Sequence, residues 1–306
     1  MPIYNVIKDT LIEISEIPSE LEKNIQSLVE HNIKTIFNID FVISEFELNG
    51  LRIDSLGFDN DSKSFIIIEY KRDKNFSVID QGYAYLSLLL NNKAEFILKY
   101  NETKEKEHFL KKDNVDWSQS RVIFIAPQFT TYQRKAIEFK DLPIELWEVK
   151  KYSNDTILFN QIQAPEKSES ITTISQKSEV VRKISQEIKV YTEESHLERA
   201  EENIKSIYKE LKDIILSFGS SINVKSKAKY IAFIHKKNFV DIVIYKSNIT
   251  LSLNMKKGTL NDPKKIARDV SNIGHWGNGD YEIKIKDSNN NMSYLVSLIR
   301  QSYDMN

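Results

Sequence analysis

The chain has no cysteine among its 306 residues and only eight glycines and six prolines. The absence of cysteine excludes disulfide bonds and thiolate-ligated metal sites. The longest apolar region near the middle, residues 81–92, is shorter than the roughly 20 apolar residues that a bilayer span needs. Lys8 and Asp9 precede any long apolar run, which does not match a secretion signal. We therefore expect a cytoplasmic protein without a membrane segment.

The chain also has little net charge, because 43 basic residues stand against 44 acidic ones. This balance hides an asymmetry: residues 1–165 carry a net charge of −6 and residues 166–306 carry +5. A basic half favours contact with a polyanion such as nucleic acid, and ordinary surface variation is the alternative explanation.

The pattern of apolar residues in the first zone, residues 1–163, predicts an α/β domain with a mixed sheet flanked by helices. Its first helix is expected to bury Leu21, Ile25, Leu28 and Val29. The run from Phe65 to Ile68 is typical of a strand covered on both faces. The predicted elements are a helix at 19–32, strands at 41–48, 51–58 and 64–71, a helix at 78–90, a strand at 121–126, a helix at 131–139, and strands at 144–151 and 156–162.

Two further zones follow. Residues 164–190 are rich in Ser, Lys, Glu and Gln, and we interpret them as a linker that is part helical near its end. Residues 191–306 are predicted to form a smaller α+β domain. Its predicted elements are one long helix at 193–217, strands at 230–235, 240–245, 249–253 and 281–285, and a final helix at 292–303.

Three charged residues carry the chemistry that the first zone suggests. Glu69 and Lys71 are two positions apart in a predicted strand, so their side chains share a face, and a short connection can bring Asp54 beside them. Two carboxylates can hold a divalent cation, and the lysine can orient water or stabilise negative charge. Charged residues on an exposed strand face are the alternative interpretation. Glu69 ends an apolar run, however, where a carboxylate is unfavourable unless it is paired or metal-bound.

Asp54, then Glu69-Tyr70-Lys71, then Gln81 and Tyr85 as Gln-x-x-x-Tyr, resembles the PD-(D/E)XK nuclease superfamily over about residues 15–150. The residues around Asp54 and Glu69 are most similar to those of mismatch and single-strand endonucleases and of restriction-endonuclease-like proteins. The proline that often precedes the aspartate is replaced here by Ile53. The resemblance implies a restriction-endonuclease-like mixed sheet flanked by helices, linked to the smaller α+β domain.

Residue by residue, the resemblance implies that Asp54, Glu69 and the Tyr70 carbonyl bind Mg²⁺ or Mn²⁺. Lys71 would be the catalytic lysine, with Gln81 and Tyr85 facing the site. The alternative for Tyr85 is core packing.

The superfamily also has a glutamate on the first helix beside the site. Glu30 is the candidate for it, Glu22 is the second choice, and Glu45 is a further acidic residue that could approach Asp54. Arg52 and Arg72, next to the motif, are assigned to nucleic-acid or ligand contacts.

Three of the eight glycines fall between Gly274 and Gly279, around His275 and Trp276. Such density indicates a tight backbone path, and the two rings could stack on a base or another planar ligand. The alternative is a turn that buries Trp276 as a structural plug. The stretch from Asp269 to Glu282 resembles an uncharacterised domain often found behind such nuclease domains, and substrate recognition or oligomerisation is its expected role.

Taken with the resemblance, these features predict a metal-dependent endonuclease acting on DNA of unspecified strandedness, with defence against foreign DNA as one expected setting. A homodimer is a further expectation. The alternative is a nucleic-acid-binding or ligand-gated module that uses a nuclease scaffold without constitutive cleavage.

Overall fold

The computed structural model describes residues 2–18, 22–72, 77–139, 142–163, 179–286 and 292–306. The chain forms two compact units, residues 1–189 and residues 190–306. Among the helices described, none combines the length and apolar content that a membrane span requires.

The first unit is built on a seven-stranded mixed sheet. Its elements are β1 (Ile3–Ile7), β2 (Thr10–Ile14), β3 (Glu16–Ile17), α1 (Glu22–Phe37), β4 (Asp40–Leu48), β5 (Leu51–Asp59), β6 (Ser64–Tyr70), α2 (Val78–Asn91), α3 (Lys93–Glu102), β7 (Arg121–Ala126), α4 (Thr131–Ala136), β8 (Ile144–Tyr152), β9 (Ile157–Ile162) and α5 (Glu179–Glu187). The strand order is β3-β8-β7-β6-β5-β4, with β9 also paired to β8, and β6, β7 and β8 run parallel. The predicted mixed α/β domain with flanking helices is confirmed.

Strand β6 is buried along its whole length because helices cover both faces of the sheet. Ile66 and Ile68 pack with residues of α1, whereas Phe65 and Ile67 pack with residues of α2. Successive side chains of a strand point to opposite faces, so a continuous apolar run suits this position. The site residues at the end of β6 therefore lie on a rigid central strand.

The predicted core stripe of helix α1 is confirmed in part, since Val29 is buried and Ile25 packs against the same apolar cluster, and the helix is longer than predicted. Its buried residues are Gln26, Val29 and Ile33, while Leu28 is 42% exposed, so the prediction that Leu28 faces the core is wrong. Packing against the sheet selects a stripe with helical spacing that contains a polar residue, Gln26. Leu21 lies outside the described residues.

Four of the strands and α-helices described in the first unit were not predicted. They are the hairpin of β1 and β2, the short strand β3, and helix α3. Helix α3 buries Phe96 and Tyr100 on one side. Its other positions are mostly polar, which hid the helical pattern in the sequence.

Part of the predicted linker packs on the first unit. Helix α5 lies inside residues 164–190, and Ile184 and Ile188 at this helix are buried in the same apolar cluster as Val78 and Tyr83 of α2. This segment therefore contributes to the core of the first unit. Residues 164–178 of the predicted linker lie outside the described residues.

The second unit pairs a six-stranded antiparallel sheet with helices. Its elements are α6 (Glu193–Leu197), α7 (Glu202–Leu216), β10 (Asn223–Ser226), β11 (Ile231–Ile234), β12 (Asn238–Ile244), β13 (Ile249–Leu253), β14 (Arg268–Asp269), β15 (Tyr281–Ile285) and α8 (Met292–Met305). The strand order is β10-β11-β12-β13-β15-β14, and an apolar core joins the sheet to α7 and α8.

The single long helix predicted at 193–217 is instead two helices. The chain breaks the helix between Leu197 and Glu202, where Ala200 is buried and the Glu201 amide donates to the carbonyl of Lys246. A hydrogen bond to a residue distant in sequence replaces the helical one, which local patterning does not reveal.

Candidate active site

Two adjacent strands bring the predicted carboxylates together. Asp54 lies in β5 and Glu69 in β6, which pair antiparallel, and the Tyr70 amide donates to Asp54 Oδ2 at 3.0 Å. Lys71 follows β6, and its Nζ lies 2.6 Å from Glu69 Oε1. Asp54 is only 7% exposed and Glu69 only 3% exposed. The predicted trio therefore meets at one largely buried point of the sheet.

Helix α2 fixes the position of Glu69 through two side chains one turn apart. Gln81 Nε2 donates to Glu69 Oε1 at 2.8 Å and contacts the Tyr85 hydroxyl oxygen at 3.1 Å. That hydroxyl donates to the carbonyl of Arg52 at 2.9 Å. Tyr85 therefore does more than pack in the core, since it links α2 to β5. The helix starts at a cap, where Ser77 Oγ accepts from the Asp80 amide.

The electrostatics of this cluster are unbalanced toward negative charge. Burial, and then the negative charge of Glu69, raises the pKa of Asp54 to about 7, against the opposing effects of the Tyr70 amide and Lys71. Burial, and then the same Glu69 charge, also raises the pKa of Tyr85. Glu69 Oε2 is buried and has no hydrogen-bond partner among the described residues. A buried carboxylate oxygen without a partner is unfavourable unless something else compensates it.

The donor set of this cluster fits a hard divalent cation. Two neighbouring carboxylates with one unpartnered buried oxygen offer the oxygen ligands that Mg²⁺ and Mn²⁺ prefer. Within the described residues, no group of three or more His, Asp or Glu side chains is arranged to hold a metal. A cation held by Asp54 and Glu69 would therefore complete its shell largely with water, as Mg²⁺ commonly does.

The two first-helix glutamates occupy different places. Glu30 accepts from Ser55 Oγ at 2.5 Å and from Gln26 at 3.0 Å. Because Ser55 and Asp54 are consecutive in a strand, their side chains point to opposite faces, so Glu30 lies across the sheet from the Asp54 carboxylate. Glu22 instead accepts from the Arg72 amide at 3.0 Å, and its charge helps to raise the pKa of Asp54. The geometry thus favours Glu22, the second choice, as the glutamate nearer the site.

Gln26 is the residue of this region that sequence reasoning missed. Its Nε2 lies 3.0 Å from the Asp54 carbonyl and within 3.2 Å of Ser44 Oγ, Glu30 and Glu45. It therefore ties helix α1 to the backbone that carries Asp54. A polar residue in the same helical stripe as Val29 was the signal available in the sequence.

The two arginines assigned to nucleic-acid or ligand contacts are both exposed. Arg52 Nε lies 3.1 Å from Glu45 Oε2, and its carbonyl accepts from Tyr85. The backbone of Arg72 bonds to Glu22, next to residues 73–76, which are outside the described residues.

The glycine-rich loop of the second unit holds its two rings differently. His275 spans the loop, with Nδ1 2.9 Å from the Ile273 carbonyl and Nε2 3.0 Å from the Gly279 carbonyl. Trp276 is 55% exposed, which is inconsistent with a buried structural plug. His275 therefore shapes the loop, and Trp276 is presented at the surface.

In the absence of metal, the buried negative charge of Asp54 beside Glu69 should lower the stability of the folded protein. Asp54→Asn should raise the melting temperature in EDTA, because it removes a carboxylate that burial and Glu69 destabilise while keeping an acceptor for the Tyr70 amide. We expect a gain of about 2 °C or more by differential scanning calorimetry.

Asp59→Asn is the matched control in the same strand. Asp59 is buried, accepts from the Asp61 and Ser62 amides, and pairs with Arg121 at 3.3 Å, so its replacement should lower the melting temperature. If both variants melted below the wild type, our account of the Asp54 environment would be wrong.

The chain is similar to a known protein over almost the whole of both sequences. A Haemophilus influenzae protein, described as an uncharacterized protein, is 43% identical over 302 residues that cover 99% of each chain. Residues 193–306 match the family of a domain of unknown function (DUF5655).

Solved structures give partial matches to the chain. A repair endonuclease from Pyrococcus abyssi is 20% identical over 40% of this chain and 45% of its own, with a TM-score of 0.23. EndoMS in its apo form is 18% identical over 42% of this chain and 45% of its own, with a TM-score of 0.26. A complex of EndoMS with DNA is 18% identical over 40% and 45%, with a TM-score of 0.23. The chain thus spans less than half the length of each of these structures.

Proposed function

The chain belongs to the same family as the Haemophilus influenzae protein, which it matches from end to end, and we propose that it is a metal-dependent endonuclease hydrolysing the phosphodiester bonds of DNA. The observation that carries the proposal is the meeting of Asp54, Glu69 and Lys71 at one point, with Glu69 Oε2 buried and unpartnered among the described residues. The order of strands and motif residues supports placing the first unit in the PD-(D/E)XK superfamily.

Asp54 and Glu69, with the Tyr70 carbonyl, would hold Mg²⁺ or Mn²⁺. A cation bound there supplies a water of lowered pKa and offsets negative charge on the phosphate. The two carboxylates would hold this charge where β5 and β6 meet, since Gln81 of α2 holds Glu69 and the Tyr70 amide holds Asp54.

Lys71 is the positively charged side chain of the site, in addition to any bound metal ion. Its ammonium is held against Glu69 at 2.6 Å, inside a site that is mostly closed to solvent. From this position it would orient the attacking water and stabilise negative charge that develops on the scissile phosphate. Such a contribution is larger in a site of low dielectric constant than in water.

Gln81 and Tyr85 act by positioning Glu69. Gln81 donates to the same oxygen, Oε1, that Lys71 contacts, which leaves Oε2 to face a ligand. Tyr85 fixes Gln81 in turn through its hydroxyl group. This chain of contacts holds one carboxylate rotamer before substrate arrives, which lowers the cost of organising the site.

Cleavage assays on a panel of nucleic acids test the proposal. Plasmid DNA, single-stranded DNA, phage DNA and RNA would each be incubated with Mg²⁺, Mn²⁺ or EDTA. We expect DNA cleavage with a divalent cation, none in EDTA, and a loss of about a hundredfold or more in Glu69→Gln. Glu138→Gln, an exposed residue of the same unit, is the matched control and should cleave like the wild type.

A second candidate function is favoured by the exposed Trp276 in the glycine-rich loop. It is a nucleic-acid-binding or ligand-gated module without constitutive cleavage. Binding of DNA in EDTA with no cleavage of any substrate under either cation would contradict the nuclease proposal and favour this one.

A further inference from the structure

The second unit contains a cavity of about 490 Å³, a size typical of small-molecule sites. Two of its aromatic side chains remain accessible, since Trp276 is 55% exposed and Tyr245 is 44% exposed. The lining residues that matter here combine rings with charged and polar groups: Tyr245, Thr250, Arg268, His275, Trp276 and Glu282. The cavity therefore offers both a surface for stacking and groups for hydrogen bonding.

Trp276 is held rigidly by the backbone on both sides of it. Ser252 Oγ donates to the Trp276 carbonyl at 3.2 Å. The buried carboxylate of Asp241 accepts from the Asn278 amide at 2.6 Å and from its Nδ2 at 2.9 Å. A carboxylate that is fully buried inside a small domain has to be compensated by such donors. The backbone that carries the ring is thus fixed, which reduces the entropy lost on binding.

Gly277 adds a second constraint on this loop. Its φ is +101°, and a Cβ there would lie 2.5 Å from Ser252 Oγ. A side chain is excluded by both conformation and space, so the backbone packs directly on β13. The close packing fixes the loop backbone next to Trp276.

The charges around the cavity suit a planar ligand that carries both an anionic group and hydrogen-bond donors. Lys229 Nζ lies 5.0 Å from the centre of the Trp276 ring. Arg268 and Glu282 are direct partners on β14 and β15, and both line the cavity. In the part of the chain that the structure describes, neither the Arg268 guanidinium nor the Glu282 carboxylate has a hydrogen bond or ion pair. Two cations and one carboxylate are thus placed around the aromatic surface.

We propose that this cavity binds a nucleotide, with its base stacked on Trp276. Stacking on an aromatic ring suits the planar base, and Lys229 and Arg268 supply positive charge for the phosphate. Glu282 supplies an acceptor for base N–H groups, as carboxylates do for amino groups of bases. The inference goes beyond the proposed nuclease function, because base binding in the second unit can hold whether or not the first unit cleaves.

Equilibrium binding by the full chain in EDTA tests this site without cleavage. The probes are a fluorescein-labelled single-stranded DNA of mixed sequence, the same strand in a duplex, the same backbone with abasic sites, and the four deoxynucleoside monophosphates as competitors. We expect Trp276→Ala to weaken binding of the single strand about tenfold or more, and Trp276→Phe to retain most of it. Tyr132→Ala, which removes another exposed ring of the chain, is the control and should bind like the wild type.

The competitors identify the source of the base. Competition by monophosphates would show that a single nucleotide is sufficient for binding. Binding of the strand without such competition would assign the site to nucleic acid. Either result supports the proposal. Trp276→Ala should melt at the wild-type temperature because its ring is exposed. Equal affinity of wild type and Trp276→Ala, equal affinity for the intact and abasic strands, or no binding of any probe would each overturn it.

Discussion

Lys71→Ala should lower the rate of DNA cleavage by about a hundredfold to a thousandfold while DNA binding changes little. The ammonium contacts Glu69 at 2.6 Å inside a site where Asp54 and Glu69 are both buried, so its charge acts at short range and in a low dielectric. Its largest effect should fall on the transition state, where negative charge on the phosphate increases. The measurement is the single-turnover rate with Mg²⁺, beside affinity for the same DNA in EDTA.

Two comparisons separate this catalytic effect from loss of structure. Lys135→Ala removes an exposed lysine of α4 and should leave the rate unchanged. Removing Lys71 also takes one partner from the buried Glu69, so the melting temperature of the variant has to be compared with that of the wild type. Lys71→Met preserves the aliphatic part of the side chain and should show the same loss of rate. Full cleavage by folded Lys71→Ala protein would refute the role given to this residue.

Gly279→Ala should destabilise the second unit by roughly 2–5 kcal/mol, the sum of left-handed backbone strain and steric overlap. Gly279 has a φ of +85°, and a Cβ there would lie 2.0 Å from the Leu253 carbonyl oxygen, a backbone atom that cannot move aside. Calorimetry of the full chain should show the transition of the second unit shifted down by about 10 °C or more.

Gly258→Ala is the matched control for Gly279→Ala. Gly258 has nearly the same φ, +84°, but nothing lies within 4 Å of its Cβ position. It should cost only the backbone strain, about 1–2 kcal/mol. If the two variants melted alike, steric overlap would not be what fixes glycine at 279.

Local sequence patterns predicted the structure correctly where an element depends only on residues close together in the chain. The apolar run from Phe65 to Ile68 predicts a strand buried on both faces, and β6 is such a strand. The two-residue spacing of Glu69 and Lys71 predicts a shared face, and their side chains meet at 2.6 Å, while Gln81 and Tyr85, one helical turn apart, contact each other at 3.1 Å. These results follow from strand and helix periodicity alone.

Sequence patterns gave wrong predictions where contacts between distant segments determine the structure. The long helix predicted at 193–217 is interrupted because the Glu201 amide bonds to Lys246, which lies in another part of the fold. The helix expected near the end of residues 164–190 is present as α5, but its packing on the first unit was missed because only a few apolar residues, such as Ile184, contact the core. The assignment of Glu30 rested on its place near the end of the first helix, but which glutamate approaches Asp54 depends on how α1 crosses the sheet.

By itself, the sequence determined strands β4 to β9 and helix α2 of the first unit, because their patterns lie within single elements, and the resemblance to a nuclease superfamily drew attention to Asp54, Glu69, Lys71, Gln81 and Tyr85. Only the tertiary structure decided that Gln26 supports the backbone of Asp54, and that Glu30 lies across the sheet from its carboxylate. It also decided that Trp276 is exposed beside a cavity rather than buried. The physical reason is that burial and hydrogen bonding between distant segments depend on strand register and helix packing, which a linear pattern leaves open.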